Sequence, residues 1–482
     1  MNWNDEQLQI FEEVKTTSDN LLLEALAGAA KTSTLVELAR YLEGGTLAIA
    51  FNKKIADEMQ ERMPRGVECR TLNSLGHRIW QGKLGKKMFI SPGKVHILMT
   101  EELEATPFGE ERDHLFENFS DLRNAIQGSK NHGHVPDFIA QELGDKCSPI
   151  MNDEEFYDML PEELSPESKA FCQRIIAKSF QMALDGKLDY ADQLLMPTVM
   201  KCMFPYFANV LVDEAQDLSE LNHRMIEKIK KKRLIAVGDS LQAIYAFRGA
   251  HRSSMPLLAS RFDMKTLHLS TTFRCPEAIC NHVRWHAPRI KHWEGNPRNP
   301  GSVTRLAAWA LSEIPDGAAV ICRNNAPLFR FAIRLLKEGR RPNVWGKDVA
   351  ANLIKIMEGL GAGNMRREDA ILSLRRYEAG KAAKMKKQSA ISALAEKVEC
   401  ILVFLNNAET LNGACVLAKN VFNSEGVIDL CSGHKSKGHE WENVFFLDDF
   451  LLDDTDQDLN LRYVIATRSK RNLTYIQTEG MV

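Results

Sequence analysis

Two short stretches of this chain carry side chains suited to phosphate chemistry. In LLLEALAGAAKTSTLVELARYL, Leu21 to Leu42, an apolar run gives way to small residues, then Lys31 and Thr32, then a helical pattern. That order reads as strand, tight turn and helix. Such a turn aims backbone N–H groups and the positive end of a helix dipole at an anion. The groups on offer are the backbone of Ala27, Gly28, Ala29, Ala30, Lys31, Thr32 and Ser33, the Lys31 ammonium for a β/γ-phosphate, and the Thr32 hydroxyl for Mg²⁺. The usual pattern asks for glycine where Ala25 and Ala30 stand, and an ordinary strand–helix junction of small residues would look the same.

The second stretch is FANVLVDEAQDL, in which an apolar strand ends in Asp213 and Glu214, a little under two hundred residues after Lys31. Adjacent carboxylates at a strand end suit two roles: Asp213 holding Mg²⁺ and Glu214 polarising an attacking water. In isolation such a pair is equally a capping or surface pair. A third stretch, VGDSLQAIYAFRGA, places Gln242 after another strand end, then Tyr245, Phe247 and Arg248. The amide suits a γ-phosphate, the aromatics suit stacking on bases, and the arginine suits phosphate. Taken alone, IYAF also reads as ordinary core.

These groups need elements that deliver them to one place. Residues 1 to about 78 alternate short apolar strands with helices, a parallel α/β rhythm. From about 79 to 184 helices with charged loops replace it. Strand-like runs return at FANVLVDEA, KRLIAVGDS and KTLHLSTTF, the last from Lys265 to Phe273. A second α/β stretch runs through AAVICRN and FAIRLLKEG, a helical basic stretch spans about 341 to 414, and strands return at EGVIDLC, ENVFFLDD and NLTYIQT. The reading is two α/β units, each with a mostly helical insertion.

The chain has 482 residues, 44% hydrophobic and 26% charged, as expected of a globular protein. Its polar N-terminus does not read as a signal peptide, and its apolar runs are too short to span a bilayer. Ten scattered cysteines form no zinc pattern and fit reduced thiols in the cytosol. A net charge of −2 provides no global field for nucleic acid, so any such binding must come from local patches. Two basic runs, Lys228–Arg233 and Arg375–Lys387, read as solvated helix faces. DDTDQDLN, from Asp453, reads as an acidic surface loop because Leu459 and Ile465 stand where a calcium loop needs Gly and Glu.

AGAAKT, LVDEAQD and VGDSLQAIYAFRGA, in this order, resemble the UvrD/Rep/PcrA type of superfamily 1 DNA helicase. WNDEQ resembles the family's Q motif, which implies that Gln7 reads adenine. AFNKKIADEM resembles a DNA-contacting motif and implies contacts from Phe51 and Asn52. CRTLNSLG resembles the TxHSLG motif, with Asn73 in place of the usual His. LDYADQLL is similar to the segment that returns the chain to the first motor domain. LSTTFRCP implies Phe273 beside the nucleotide and Arg274 at the γ-phosphate. SGHKSKGHEWENVFF resembles HxxKGLEF, with His439 where Leu is usual, and implies a nucleotide contact from Glu440 and a DNA contact from His434. YVIATRSKRNL resembles YVAxTRA and implies Arg468 as a second arginine finger. The AFNK and CRTLNSLG run is also similar to the F-box helicase branch. The resemblance spans residues 3 to 473.

It implies two RecA-like P-loop motor domains of parallel sheets flanked by helices. The first would comprise residues 1–78 and 185–258 with insertion 79–184, and the second 259–340 and 415–482 with a reduced insertion 341–414. It also implies ATP and Mg²⁺ held between the motors, single-stranded DNA and single/double-strand junctions as partners, 3′→5′ movement, no membrane, and a cytoplasmic, DNA-associated protein of prokaryotic or viral origin. The chain ends soon after Leu473, so no fused nuclease is expected. Other readings are a translocase that strips proteins with little unwinding, an inactive DNA-binding scaffold, and an unrelated P-loop kinase or GTPase. Ala30 costs on the order of 1–2 kcal/mol if its backbone is left-handed, and nothing if it is helical.

Overall fold

The computed structural model describes residues 3–160, 165–244, 254–293, 300–383 and 388–480. Its chain separates into two compact units, residues 1–25 with 30–269 and residues 26–29 with 270–482.

The first unit is built on strands β1 (Leu21–Ala25), β2 (Thr46–Ile49), β3 (Val67–Arg70), β6 (Phe207–Val212), β7 (Lys230–Gly238) and β8 (Lys265–Leu269), with β4 (Phe89–Ile90) and β5 (Lys187–Leu188) forming a small separate pair. The sheet order is β3-β2-β6-β7-β1-β8, and every pairing is parallel. Parallel strands are covered on both faces, which is why LLLEA, TLAI and LIAVG are near-continuous apolar runs. Leu23 sits opposite Val237 on one side and Leu267 on the other, all in register. The crossover helices Lys31–Leu38 and Lys53–Arg62 follow β1 and β2. Leu47, Val210, Leu234 and Ile226 meet in one core between sheet and helices.

Between β3 and β6 the chain makes a run of helices that includes Lys94–Ala105, Phe119–Asn131 and Pro166–Leu184. Ser165 caps the last of these, and Pro166 opens it where no amide donor is needed. These helices enclose a core of their own around Phe156, Phe171, Ile175 and Leu122. A buried charge cluster fastens them to the returning chain. Lys130 Nζ lies 2.6 Å from both Asp189 and Asp192, and Lys94 pairs with Asp192 and donates to Ser179 O at 2.9 Å. Burial pushes the Lys94 ammonium below its usual range, with the nearby Lys130 acting the same way. Two cations and two carboxylates leave the cluster neutral.

The second unit begins with a small pair, β9 (Thr271–Thr272) and β10 (Lys291–His292). Its sheet comprises β11 (Ser302–Arg305), β12 (Ala319–Cys322), β13 (Pro342–Val344), β14 (Ile428–Ser432), β15 (Trp441–Leu447) and β16 (Ser469–Ile476), ordered β11-β16-β15-β12-β14-β13 and parallel throughout. Helices Lys347–Glu358, Arg367–Ala382, Gln388–Leu405 and Leu411–Phe422 lie between β13 and β14. Unlike the helices around Phe156 and Phe171, these share the sheet's core: Leu353, Met357, Ile401 and Phe404 cluster with Phe329, Val320 and Leu430.

Two sequence expectations are corrected. KTLHLSTTF is not one strand; it breaks at Ser270, because β8 pairs with β1 while β9 pairs with β10. The run from Lys228 to Arg233 is not a helix face either. The helix ends at Ile229, β7 begins at Lys230, and buried Arg233 donates to the carbonyls of Val14, Thr17 and Asp19.

Removing one charge from the neutral cluster leaves a buried ammonium uncompensated. Asp192→Asn should cost about 3–5 kcal/mol, read as a lower urea midpoint.

Candidate nucleotide and nucleic-acid site

All strands of the first sheet run the same way, so the residues after their carboxyl ends share one edge. The turn Leu26–Ala30 leaves β1 there, closed by Ala29 N–H donating to Leu26 O at 3.1 Å. Gly28 has φ +74°, a conformation that suits glycine. Ala30 has φ 58° and ψ 39°, so of the two possibilities left open by the sequence the strained one holds. Its carbonyl accepts from Thr34 N at 2.9 Å, opening the helix at Lys31.

Asp213 and Glu214 follow β6. The Thr32 hydroxyl donates to Asp213 Oδ2 at 2.7 Å, across 181 positions of chain. Lys31 Nζ lies 3.8 Å from Glu214 Oε1. Glu214 is also left-handed, at φ 54°, and its backbone N–H is taken by Asp213 Oδ1 at 2.9 Å. Burial, with the charge of Glu214 adding to it, pushes the Asp213 carboxyl well above the usual range.

Asp239 and Gln242 follow β7. Gln242 Nε2 donates to Asp239 Oδ2 at 2.6 Å. Burial raises the Asp239 carboxyl to about 6, against the pull of Lys31. Gln216 joins the two strand ends: its Nε2 donates to Glu214 Oε2 at 2.6 Å and its Oε1 accepts from Asp239 N at 3.0 Å. A Cβ at Gly238 would lie 2.6 Å from that Oε1, so the amide occupies the space a side chain would take. Sequence reasoning singled out neither Gln216 nor Asp239 as a site residue; their position beside strand ends was the available signal.

The other expected residues are placed as follows. Gln7 is fully buried; its Nε2 donates to Thr34 Oγ1 at 2.9 Å and its Oε1 accepts from Asn4 N at 3.2 Å, tying the first helix to the one after the turn. The Ser33 hydroxyl accepts from Arg62 at 2.7 Å. Phe51 is exposed after β2, and Asn52 caps the following helix through Ile55 N at 2.9 Å. Asn73 donates to Tyr190 O at 2.7 Å and Gln193 Oε1 at 3.2 Å. Tyr245, Phe247 and Arg248 lie outside the described residues.

In the second unit Arg274 pairs with Glu440, and the Phe273 ring lies 5.1 Å from Trp293. Arg468 is almost fully buried; it donates to Val464 O at 2.9 Å and His439 O at 3.3 Å. His434 lies on the short helix Gly433–Ser436.

Thr32 and Asp213 offer hard oxygen donors, which suits Mg²⁺. No group of three or more His, Cys, Asp or Glu side chains able to hold a metal occurs among the described residues. The pair therefore fits an ion shared with phosphate oxygens and water rather than one caged by protein. No described helix is long and apolar enough to cross a membrane.

Replacing Ala30 by Gly removes the left-handed strain but frees the unfolded chain, so Ala30→Gly should stabilise the protein by about 0.5–1 kcal/mol in urea denaturation. For Asp239 the folded pKa lies above the unfolded one. The folded state therefore binds more protons between about pH 4 and 6, and stability falls as pH rises through that window. The Asp239 share of the drop should be roughly 2–3 kcal/mol, and Asp239→Asn should remove about that much while leaving the share of Asp213, which is raised into the same window.

Comparison with known proteins bears on the family of the chain. Residues 3–263 match the model of the UvrD/REP helicase N-terminal domain. The chain is 25% identical over 306 residues to an ATP-dependent DNA helicase PcrA of Staphylococcus epidermidis, a match covering 58% of this chain and 39% of that protein. It is 25% identical over 295 residues to an ATP-dependent DNA helicase PcrA of Staphylococcus aureus, covering 56% and 38%. The chain thus spans about two fifths of the length of these curated relatives. With the family model covering more than half of it, the chain belongs to the UvrD/Rep helicase family.

Proposed function

We propose that the chain hydrolyses ATP with Mg²⁺ and uses the turnover to move along single-stranded DNA, 3′→5′, opening duplex at single/double-strand junctions in replication, repair or recombination. The first motor domain would comprise residues 1–78 with 185–269, its end moved from the expected 258 because β8 pairs with β1, and the second 270–340 with 415–482. The observation that carries this is the hydrogen bond from Thr32 to Asp213, with Lys31 beside Glu214. It brings a phosphate-binding turn and a strand-end carboxylate pair to one point.

Thr32 and Asp213 would hold the magnesium, which when bound neutralises charge on the phosphate oxygens. Lys31 supplies a fixed cation for the β/γ-phosphates. Glu214, oriented by Gln216, accepts a proton from the attacking water. Gln242, held by Asp239, orients at the γ-phosphate. Arg274 and Arg468 are the cations assigned to the charge that develops in the transition state. Gln7 and Phe273 are assigned to the base, Glu440 to the nucleotide, and Phe51, Asn52, Asn73, Tyr245, Phe247, Arg248 and His434 to the DNA strand. Stacking tolerates any sequence, which suits movement along arbitrary DNA.

ATP hydrolysis measured against single-stranded DNA concentration tests this. The wild type should be stimulated by DNA, and Lys31→Ala should lose about 10²-fold or more of the rate. Absence of hydrolysis at every DNA concentration would overturn the assignment.

A further inference from the structure

The second unit carries an aromatic cluster that the assigned roles leave unused. Asp429 on β14 accepts from both flanking indoles, Trp345 Nε1 at 2.9 Å on Oδ1 and Trp441 Nε1 at 2.7 Å on Oδ2. Asn343 Nδ2 adds a third bond to Oδ1 at 2.7 Å. One carboxylate therefore fixes two large rings, whose centroids lie 5.7 Å apart. The exposed His439 ring completes the cluster, 4.6 Å from Trp345 and edge-on to it at 78°, and 6.1 Å from Trp441. Rings held in this way lose little freedom when a planar partner arrives.

A cation lies near these rings, with the exposed carboxylates of Glu440 and Glu442 on the same segment. A Cβ built on Gly346, next to Trp345, would lie 2.7 Å from Lys435 Nζ, and Lys437 follows two residues later. An exposed His439 beside a partly buried Trp345, with the Lys435 ammonium nearby and Trp441 buried behind them, matches a base and its phosphate. The backbone beneath the cluster leads directly to the arginines. His439 O accepts from Arg468, Glu440 pairs with Arg274, and Trp441 N donates to Arg468 O at 3.0 Å.

We propose that the exposed His439 ring, braced edge-on by Trp345, forms a stacking step for an unpaired base of a DNA single strand, and that residues 439–441 link occupancy of this step to the positions of Arg274 and Arg468. The proposal rests on the single-stranded DNA reading above and adds a contact and a route of coupling to it. His439 is exposed, so His439→Leu tests the step without disturbing a core.

Single-stranded oligodeoxyuridine carrying 5-iodouracil is irradiated with the full chain, and the adducts are mapped by peptide. In parallel, binding of an oligothymidylate and of an abasic strand of equal length is measured for wild type and His439→Leu. An adduct on Trp345 or His439 is expected, together with about a tenfold loss of oligothymidylate affinity in the variant and little change for the abasic strand. DNA binding with every adduct elsewhere, or an equal loss for both strands, overturns the stacking step while leaving the helicase reading in place. No binding of any single strand by the wild type overturns both.

Discussion

A parallel sheet delivers all of its carboxyl ends to one edge, and the first unit depends on that constraint. The turn after β1, the carboxylate pair after β6 and the Asp239–Gln242 pair after β7 are far apart in sequence. They meet because β6, β7 and β1 are neighbours in the sheet. Strand order, set by burying apolar runs on both faces, thereby places the chemistry. The side chains then have only short distances to cover, as the contacts of Thr32 with Asp213 and of Gln216 with both Glu214 and Asp239 show.

Collecting carboxylates at a buried edge has an electrostatic cost. Both Asp213 and Asp239 are raised by burial, and Lys31 is the cation that opposes the rise in each. The edge is also strained, with Ala30 and Glu214 both left-handed. Strain and crowded negative charge at one place are what a site primed for a cation or a polyphosphate would show, since a ligand can relieve them.

The sequence made much of this visible. Apolar runs bounded by small or charged residues marked most strands, and Lys31, Thr32, Asp213 and Glu214 stood at their ends. Three kinds of feature stayed hidden. Gln216 is one polar residue among several in EAQDL, and its bridging role depends on β7 lying next to β6. The Lys94, Lys130, Asp189 and Asp192 cluster joins residues whose local context is that of ordinary surface charges. The basic run ending in Arg233 looked solvated because a charge run carries no mark of the three carbonyls that bury its last member. In each case the deciding information is a long-range partner, which local pattern does not record. The same holds for KTLHLSTTF, whose break at Ser270 follows from two different pairing partners.

The two helical insertions differ in a way that bears on how the protein folds and how such chains diversify. Most of the helices before β6 enclose a hydrophobic core of their own, while Phe180 and Ala183 at the end of Pro166–Leu184 join the core of the sheet and a compact knot of charges fastens the helices to the returning chain. The part around Phe156, Phe171 and Leu122 has the makings of a separate cooperative unit, able to open while the sheet stays formed. The helices between β13 and β14 share one core with their sheet. Their opening would expose the sheet's own apolar face, so they belong to its folding unit. Lineages could therefore exchange or resize that outer part of the first insertion with little penalty to its host, whereas the second can change only in step with the sheet beneath it.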